Sequence, residues 1–292
     1  MLFRSMLHRL VPGTRHCLGL LLGIMAAFGS GTGFAAPVPT LRNIAFYYGD
    51  APALNQLSKF QFVVLEPDSG FMPLSVPEGK TRWLAYVSVG EVTPLREYYS
   101  ALHQTWLVGR NAEWQSDLVD QAAPGWPAFF VEHVVAPLWE RGYTGFFLDT
   151  LDSYQLFAKS EEQRLKNQEG LVAVIRAIHE RFPQAVLIMN RGFELLPSIH
   201  DHVYAVAFES LFQGWSESRG KYTEVSKSDR QWLLNQARTV KHEYGLPLIA
   251  IDYCLPADVK CSRDTVRRIR AQGLVPYVGD GRLQTISLTS LR

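Results

Sequence analysis

Eight short, almost continuously apolar runs punctuate this chain of 292 residues, and they limit its fold more than any other feature. They are Ile44–Tyr48, Phe62–Leu65, Trp83–Val89, Gly145–Leu148, Ala185–Met189, Tyr204–Phe208, Leu248–Ile251 and Leu274–Val278. Each is short and lacks the alternation of a half-exposed strand, so each reads as a parallel strand buried on both faces. Parallel neighbours need a crossover connection, and the intervals hold helical patterns. Ala53–Phe60 predicts a short helix. Pro127–Arg141 predicts a longer one, with Phe129, Phe130, Val134, Leu138 and Trp139 as its apolar stripe. Glu161–Phe182 turns Leu165, Leu171, Val172, Ile175 and Ile178 to one side and stops at Pro183. Ser228–Tyr244 and Ser262–Ala271 end at Gly245 and Gly273, with Ser or Asp near each start for capping. Strand–helix alternation repeated eight times predicts an α/β fold, a (β/α)8 TIM barrel in a single domain. The competing open, doubly wound sheet would place a glycine-rich phosphate loop after its first strand, and this sequence has none there.

The runs share an ending. Val87-Ser-Val-Gly-Glu91, Ala205-Val-Ala-Phe-Glu209 and Leu248-Ile-Ala-Ile-Asp252 are each closed by an acid. Gly145-Phe-Phe-Leu-Asp149-Thr-Leu-Asp152-Ser-Tyr154 ends in two. An unpaired carboxylate at the end of a core strand costs several kcal/mol of desolvation, so packing alone does not select it. In a barrel all C-terminal strand ends meet at one rim, where barrel enzymes carry out their chemistry. Tyr47, Tyr48, Tyr86, Asn190, Arg191, Tyr253 and Tyr277 fall at the same rim. A cleft rich in acids and aromatics is what glycoside hydrolysis uses: one acid protonates the leaving oxygen and a second attacks or activates water, while aromatic faces seat sugar rings. Asp149 and Glu209, at the ends of the fourth and sixth runs, are the best-placed pair, although spacing alone does not select them. Tyr47, Tyr86, Glu91, Asp152, Asn190, Arg191, Asp252 and Tyr253 are the expected substrate-binding residues. The long connection from Glu91 to Gly142, with Trp106, Trp114 and Trp126, is expected to shape the cleft.

The N-terminus carries an address. Arg4, Arg9 and Arg15 precede an apolar run from Cys17 to Phe28, and small residues follow to Ala36. That pattern predicts a signal peptide over residues 1–35, cut after Ala35, and a barrel domain over residues 36–292. The apolar run is shorter than the ~20 residues of a spanning helix, so no membrane contact is expected after cleavage. The protein is expected in the periplasm or outside the cell. Export removes three of the 29 basic residues and none of the 28 acidic ones, leaving a net charge of −2. Such a chain is a poor nucleic-acid binder and suits a neutral or cationic substrate. Cys254 and Cys261 remain, an even number in an oxidising compartment, and a disulfide between them is expected over two free thiols. No histidine pair sits at ligand spacing near either cysteine and no acidic run has the loop spacing of a calcium motif, so neither a metal nor a cofactor is expected.

Four strings carry a family resemblance: Phe46-Tyr-Tyr-Gly49, Ala85-Tyr-Val-Ser-Val-Gly-Glu91, Gly142-Tyr-Thr-Gly-Phe-Phe-Leu-Asp-Thr-Leu-Asp-Ser-Tyr154 and Ala250-Ile-Asp-Tyr253. In this order they resemble the endo-α-1,4-polygalactosaminidases of glycoside hydrolase family 114, including the hydrolase domains of proteins that handle the Pel polysaccharide. The resemblance runs from about Asn43 to Gly279. It implies a (β/α)8 barrel, endo-cleavage of α-1,4-linked galactosamine or N-acetylgalactosamine polymers, a catalytic Asp149 and a catalytic Glu209. Pel proteins of this kind carry a deacetylase region after the hydrolase, and this sequence stops at Arg292, so a stand-alone hydrolase is the expectation. The alternatives are a barrel that binds polysaccharide without cleaving it, and a hydrolase of a different glycan.

Overall fold

The computed structural model describes residues 40–77 and 79–291. The expected signal peptide and its cleavage point lie outside the described residues. Among them, eight strands form a single parallel sheet in chain order: β1 (Ile44–Tyr47), β2 (Phe62–Leu65), β3 (Arg82–Ser88), β4 (Gly145–Asp149), β5 (Val186–Asn190), β6 (Ala205–Glu209), β7 (Leu248–Tyr253) and β8 (Val275–Gly279). The first and last strands meet. Tyr277 of β8 donates its hydroxyl to the Phe46 carbonyl of β1 at 2.9 Å, and the Tyr48 N–H donates to the Leu283 carbonyl at 2.8 Å. This is the (β/α)8 barrel that the eight apolar runs predict. β1, β2 and β5 are buried at every position, as strands walled by a core on one side and helices on the other must be.

Inside the barrel, alternate residues of each strand stack in layers. Phe46, Phe147 and Tyr277 fill one layer, with Phe46 at 5.0 Å from Phe147 and 5.5 Å from Tyr277 between ring centroids. Two residues further along their strands come Tyr48 and Asp149, which puts polar groups on an apolar floor. Gly145 lets β4 and β5 approach closely, since a Cβ there would lie 2.2 Å from the Val186 carbonyl oxygen.

The outer layer is less regular than a repeated alternation. The long helix Glu161–Arg181 opens with a capping box between Ser160 and Gln163 and buries Leu171, Val174, Ile175 and Ile178, while Leu165 faces solvent. Mid-helix Gly170 sits where a Cβ would lie 1.8 Å from the Gln121 carbonyl oxygen, so this glycine serves contact and not flexibility. Lys227–Thr239 is capped by Ser226 and Val259–Arg270 by Asp258, each a few residues ahead of the start read from sequence. Trp126–Phe129 passes through a π-helical stretch, Phe130–Val135, into Ala136–Glu140. Between β1 and β2 there is one helical turn, Leu54–Leu57. The β2–β3 crossover has only the 3-10 turns Pro67–Ser69 and Pro73–Ser75. The connection after β3 folds into a small antiparallel sheet of Glu91–Val92, Ser116–Val119 and Leu107–Asn111. Trp106 and Trp126 pack together and against Phe129 in that connection, so they serve its core; Trp114 is exposed.

Candidate active site

Asp149 and Glu209 stand at the last positions of β4 and β6, two strands apart, with Asn190 ending β5 between them. On the ladder Asn190 pairs with Ala207, two residues before Glu209, and its side chain spans this stagger to reach both acids. The Asn190 amide nitrogen donates one hydrogen bond to Asp149 Oδ1 at 2.8 Å and the other to Glu209 Oε1 at 2.9 Å. The two N–H bonds of an amide diverge by about 120°, so the two carboxylate oxygens they reach lie about 5 Å apart. Two tyrosines complete the set. Tyr86 of β3 donates to Asp149 Oδ2 at 2.8 Å, and the Tyr253 hydroxyl of β7 donates to Glu209 Oε2. The ring of Tyr48 lies 5.1 Å from that of Tyr86.

Burial pushes both carboxyls above their ordinary range. For Asp149 the bonds from Asn190, Tyr86 and the Thr150 backbone pull the other way. For Glu209 the neighbouring Asp149 charge adds to the rise, against the bonds from Tyr253 and Asn190 and the charge of Arg191. Two acids this close resist ionising together. Burial and the neighbouring carboxylates, Asp149 alone for Tyr86 and both acids for Tyr48 and Tyr253, also drive these three phenols well up, so all three remain neutral.

The residues just past these strand ends share a backbone device. Thr150, Arg191 and Ser210 directly follow Asp149, Asn190 and Glu209, and all three adopt left-handed φ values, 60°, 57° and 61°. Each costs roughly 1–2 kcal/mol relative to glycine. At Thr150 the side chain offsets this: its hydroxyl accepts from Gly90 N–H at 2.8 Å and shares a proton with Ser88 Oγ at 2.9 Å.

The other residues expected at the cleft divide. Asn190 and Tyr253 touch the acid pair. Asp152 lies within electrostatic reach of Arg191: burial raises its pKa, and the Arg191 charge draws it back. Tyr47 does not join them. It alternates with Phe46 and Tyr48 on β1, so it faces away from the barrel axis, and its hydroxyl donates to the Ala51 carbonyl at 3.0 Å. Glu91 is buried and committed elsewhere: it accepts from Ser153 at 2.6 Å, Asn111 at 3.1 Å and Ser116, tying the small sheet to the loop after β4. Asp252 points outward while its neighbour Tyr253 points in. Its carboxylate accepts the N–H groups of Leu211, Phe212 and Gln213 at 2.7, 2.8 and 2.9 Å and so anchors the hairpin after β6. Burial nevertheless pushes it up to about 6. Cys254 and Cys261 are disulfide-bonded, with their Cα atoms 6.1 Å apart.

Two groups at the rim lay outside the sequence reading. Glu66 ends the run Phe62–Leu65 with an acid, the same signal that marked the other strands. It holds Arg96 by two bonds of 2.5 and 3.0 Å, and Asp68 adds a third at 2.8 Å. Arg96 sits in an irregular loop, and nothing in its local pattern points to this role. Among the described residues, no cluster of His, Cys, Asp and Glu is arranged to hold a metal ion, and no helix is long and apolar enough to cross a membrane.

The chain and its barrel are similar to those of known proteins. Residues 41–291 match the profile of a glycoside-hydrolase family, GH114. The structure of the glycoside hydrolase domain of PelA from Pseudomonas aeruginosa is 36% identical, with a TM-score of 0.76 covering 83% of this chain and 96% of that one. Ega3 from Aspergillus fumigatus, solved in complex with galactosamine, shares the fold at a TM-score of 0.60 and 11% identity, over 87% of this chain and 97% of that one. An uncharacterized protein of Deinococcus radiodurans is 27% identical over 248 residues, 79% of this chain and 76% of the relative. With the family profile matched across nearly every described residue, this chain belongs to glycoside hydrolase family GH114.

Proposed function

We propose that this protein is an endo-acting hydrolase of a galactosamine-containing polysaccharide, with Asp149 as nucleophile and Glu209 as general acid and base, and that it works with retention of configuration. The observation that carries the reading is the single Asn190 amide bonded to both carboxylates. The gap of about 5 Å between the two oxygens bonded to Asn190 supports retention, since the carboxyls of retaining pairs stand about 5–5.5 Å apart and those of inverting pairs about 6.5–9.5 Å. The acid role falls to Glu209, because the Asp149 charge adds to the effect of burial in raising it. In the first step Asp149 attacks the anomeric carbon as Glu209 protonates the departing glycosidic oxygen. In the second, Glu209 takes a proton from water, which displaces the sugar from Asp149 and restores both acids.

The substrate class is supported by the family, by the galactosamine bound to Ega3, and by a rim whose acids favour a cationic or neutral sugar. Export to the periplasm or beyond is supported by the N-terminal pattern and by the Cys254–Cys261 bond. The test is a product analysis on galactosamine polymer, partly acetylated galactosamine polymer, glucan and chitosan, with the native protein and with Asp149→Asn and Glu209→Gln. Cleavage of the galactosamine polymers alone, abolished in both variants, with products that keep the α-anomer, is the expected result. Binding without cleavage would make the protein a polysaccharide-binding barrel, and cleavage of glucan or chitosan alone would reassign the substrate.

A further inference from the structure

The β2–β3 crossover lacks an outer helix, and a cavity of about 300 Å³ opens at the rim beside it. It is lined by Tyr86, Val87 and Ser88 at the end of β3, and Tyr86 is the residue that donates to Asp149. Val134, Pro137 and Leu138 of the helical segment before β4 give it an apolar side. Asp68, Glu97 and Tyr98 give it a polar one. Arg96 also lines it but is spoken for. Its guanidinium is forked onto Glu66 and bonded to Asp68, with its side chain 15% exposed, which stiffens the wall and neutralises most of its charge. Arg141 is likewise engaged with the carbonyls of Pro67 and Phe71, at 2.6 and 3.3 Å. The Asp68 carboxylate remains open, its side chain 47% exposed. Burial pushes the Tyr98 phenol up to about 12, so it stays a neutral donor.

We propose that this cavity is a second sugar-binding subsite, seating a hexosamine residue of the same polysaccharide chain whose scissile bond lies between Asp149 and Glu209. A pyranose presents an apolar face of C–H groups and an edge of hydroxyl and amine donors. The cavity offers an apolar wall for the first and the Asp68 and Glu97 carboxylates for the second. Its walls are fixed in advance by the Glu66–Arg96–Asp68 clamp, so little ordering opposes binding. An endo-acting enzyme gains from such a remote contact, because binding away from the scissile bond holds the chain in register for attack. The inference rests on the proposed function for the identity of the ligand.

The experiment is calorimetric binding of galactosamine oligomers of increasing length to the Glu209→Gln protein, with and without Ala101→Trp, which fills the cavity from its exposed edge, or Glu97→Gln, which removes a charge without changing shape. The readout is the affinity for a long oligomer relative to that for the dimer. The proposal expects Ala101→Trp to lower that ratio about tenfold and Glu97→Gln to lower it about threefold, with melting temperatures unchanged. A ratio within twofold of the parent in both variants overturns the subsite, as does failure of any galactosamine oligomer to bind. The two readings fail separately. If the native protein cleaves the polymer while the variants bind normally, the subsite is wrong and the hydrolase stands. If oligomers bind in the length-dependent way but are never cleaved, the subsite stands and the hydrolase does not.

Discussion

Replacing Asn190 with alanine removes the amide that touches both acids. The two bonds it donates, 2.8 Å to Asp149 and 2.9 Å to Glu209, are each made to a group that ionises, and bonds of that kind contribute about 1.5–3 kcal/mol. Water entering from the cleft recovers about half of the total, leaving about 1.5–3 kcal/mol that no longer fixes the spacing of the pair. If that spacing is what the transition state requires, kcat falls about 100-fold, with KM changed much less. The pH profile supplies an independent readout. Asn190 holds both carboxyls down, so its loss raises both. The acid limb of the bell, where Asp149 must ionise, and the basic limb, where Glu209 must keep its proton, both move to higher pH. Folding is not at stake to the same degree, because the Asn190 carbonyl oxygen is buried without a partner and its removal relieves a cost. The assay is kcat and KM on galactosamine polymer across the pH range, with a thermal melt as the control. A variant that folds, turns over within about threefold of native and keeps its profile in place would refute the reasoning.

Tyr48 and Tyr47 form a matched pair: Tyr48→Phe is expected to weaken polymer cleavage about tenfold, and Tyr47→Phe, on the outer face of the same strand, to leave kcat/KM within twofold while costing about 1 kcal/mol in a denaturant melt. Asp252 has a folded-state pKa of about 6 against about 4 unfolded, so the native state holds more protons between those values and its contribution to stability is lost as pH rises through them. Over that window the native protein should lose up to about 3 kcal/mol more than Asp252→Asn does, read as unfolding free energy from pH 4 to 7; equal slopes would contradict the assignment. The Cys254–Cys261 bond closes a short loop next to Tyr253, and a Cys254→Ser, Cys261→Ser double variant is expected to lose about 2 kcal/mol of stability, matched by native protein melted in reductant.

How far the site could be read in advance depended on which interaction set each residue's place. Asp149 and Glu209 were visible because each closes an apolar run, and a buried strand does not end in an acid for packing alone. Glu66 carries the same mark after Phe62–Leu65, yet it clamps Arg96 and does not meet the acid pair. Tyr47 and Tyr48 could not be separated by composition, since adjacent residues on a strand face opposite ways and the barrel axis picks one. The same parity divides Asp252 from Tyr253: one secures a hairpin outside, the other donates to Glu209 inside. Glu91 carried the acid signature too, yet its partners Ser116 and Ser153 lie 25 and 62 residues away, and no local pattern foretells that company.

The chain alone therefore determined the number and order of the barrel strands, because continuous apolar runs of strand length have one stable use when separated by crossovers. It also determined that acids gather at one rim, because parallel strands all end on the same side. Which acids meet was decided in three dimensions. Strand parity, the stagger that Asn190 spans between Asp149 and Glu209, and the left-handed turns at Thr150, Arg191 and Ser210 are properties of the closed barrel. They depend on contacts between residues far apart in sequence, and a local run of residues carries no record of its distant neighbours.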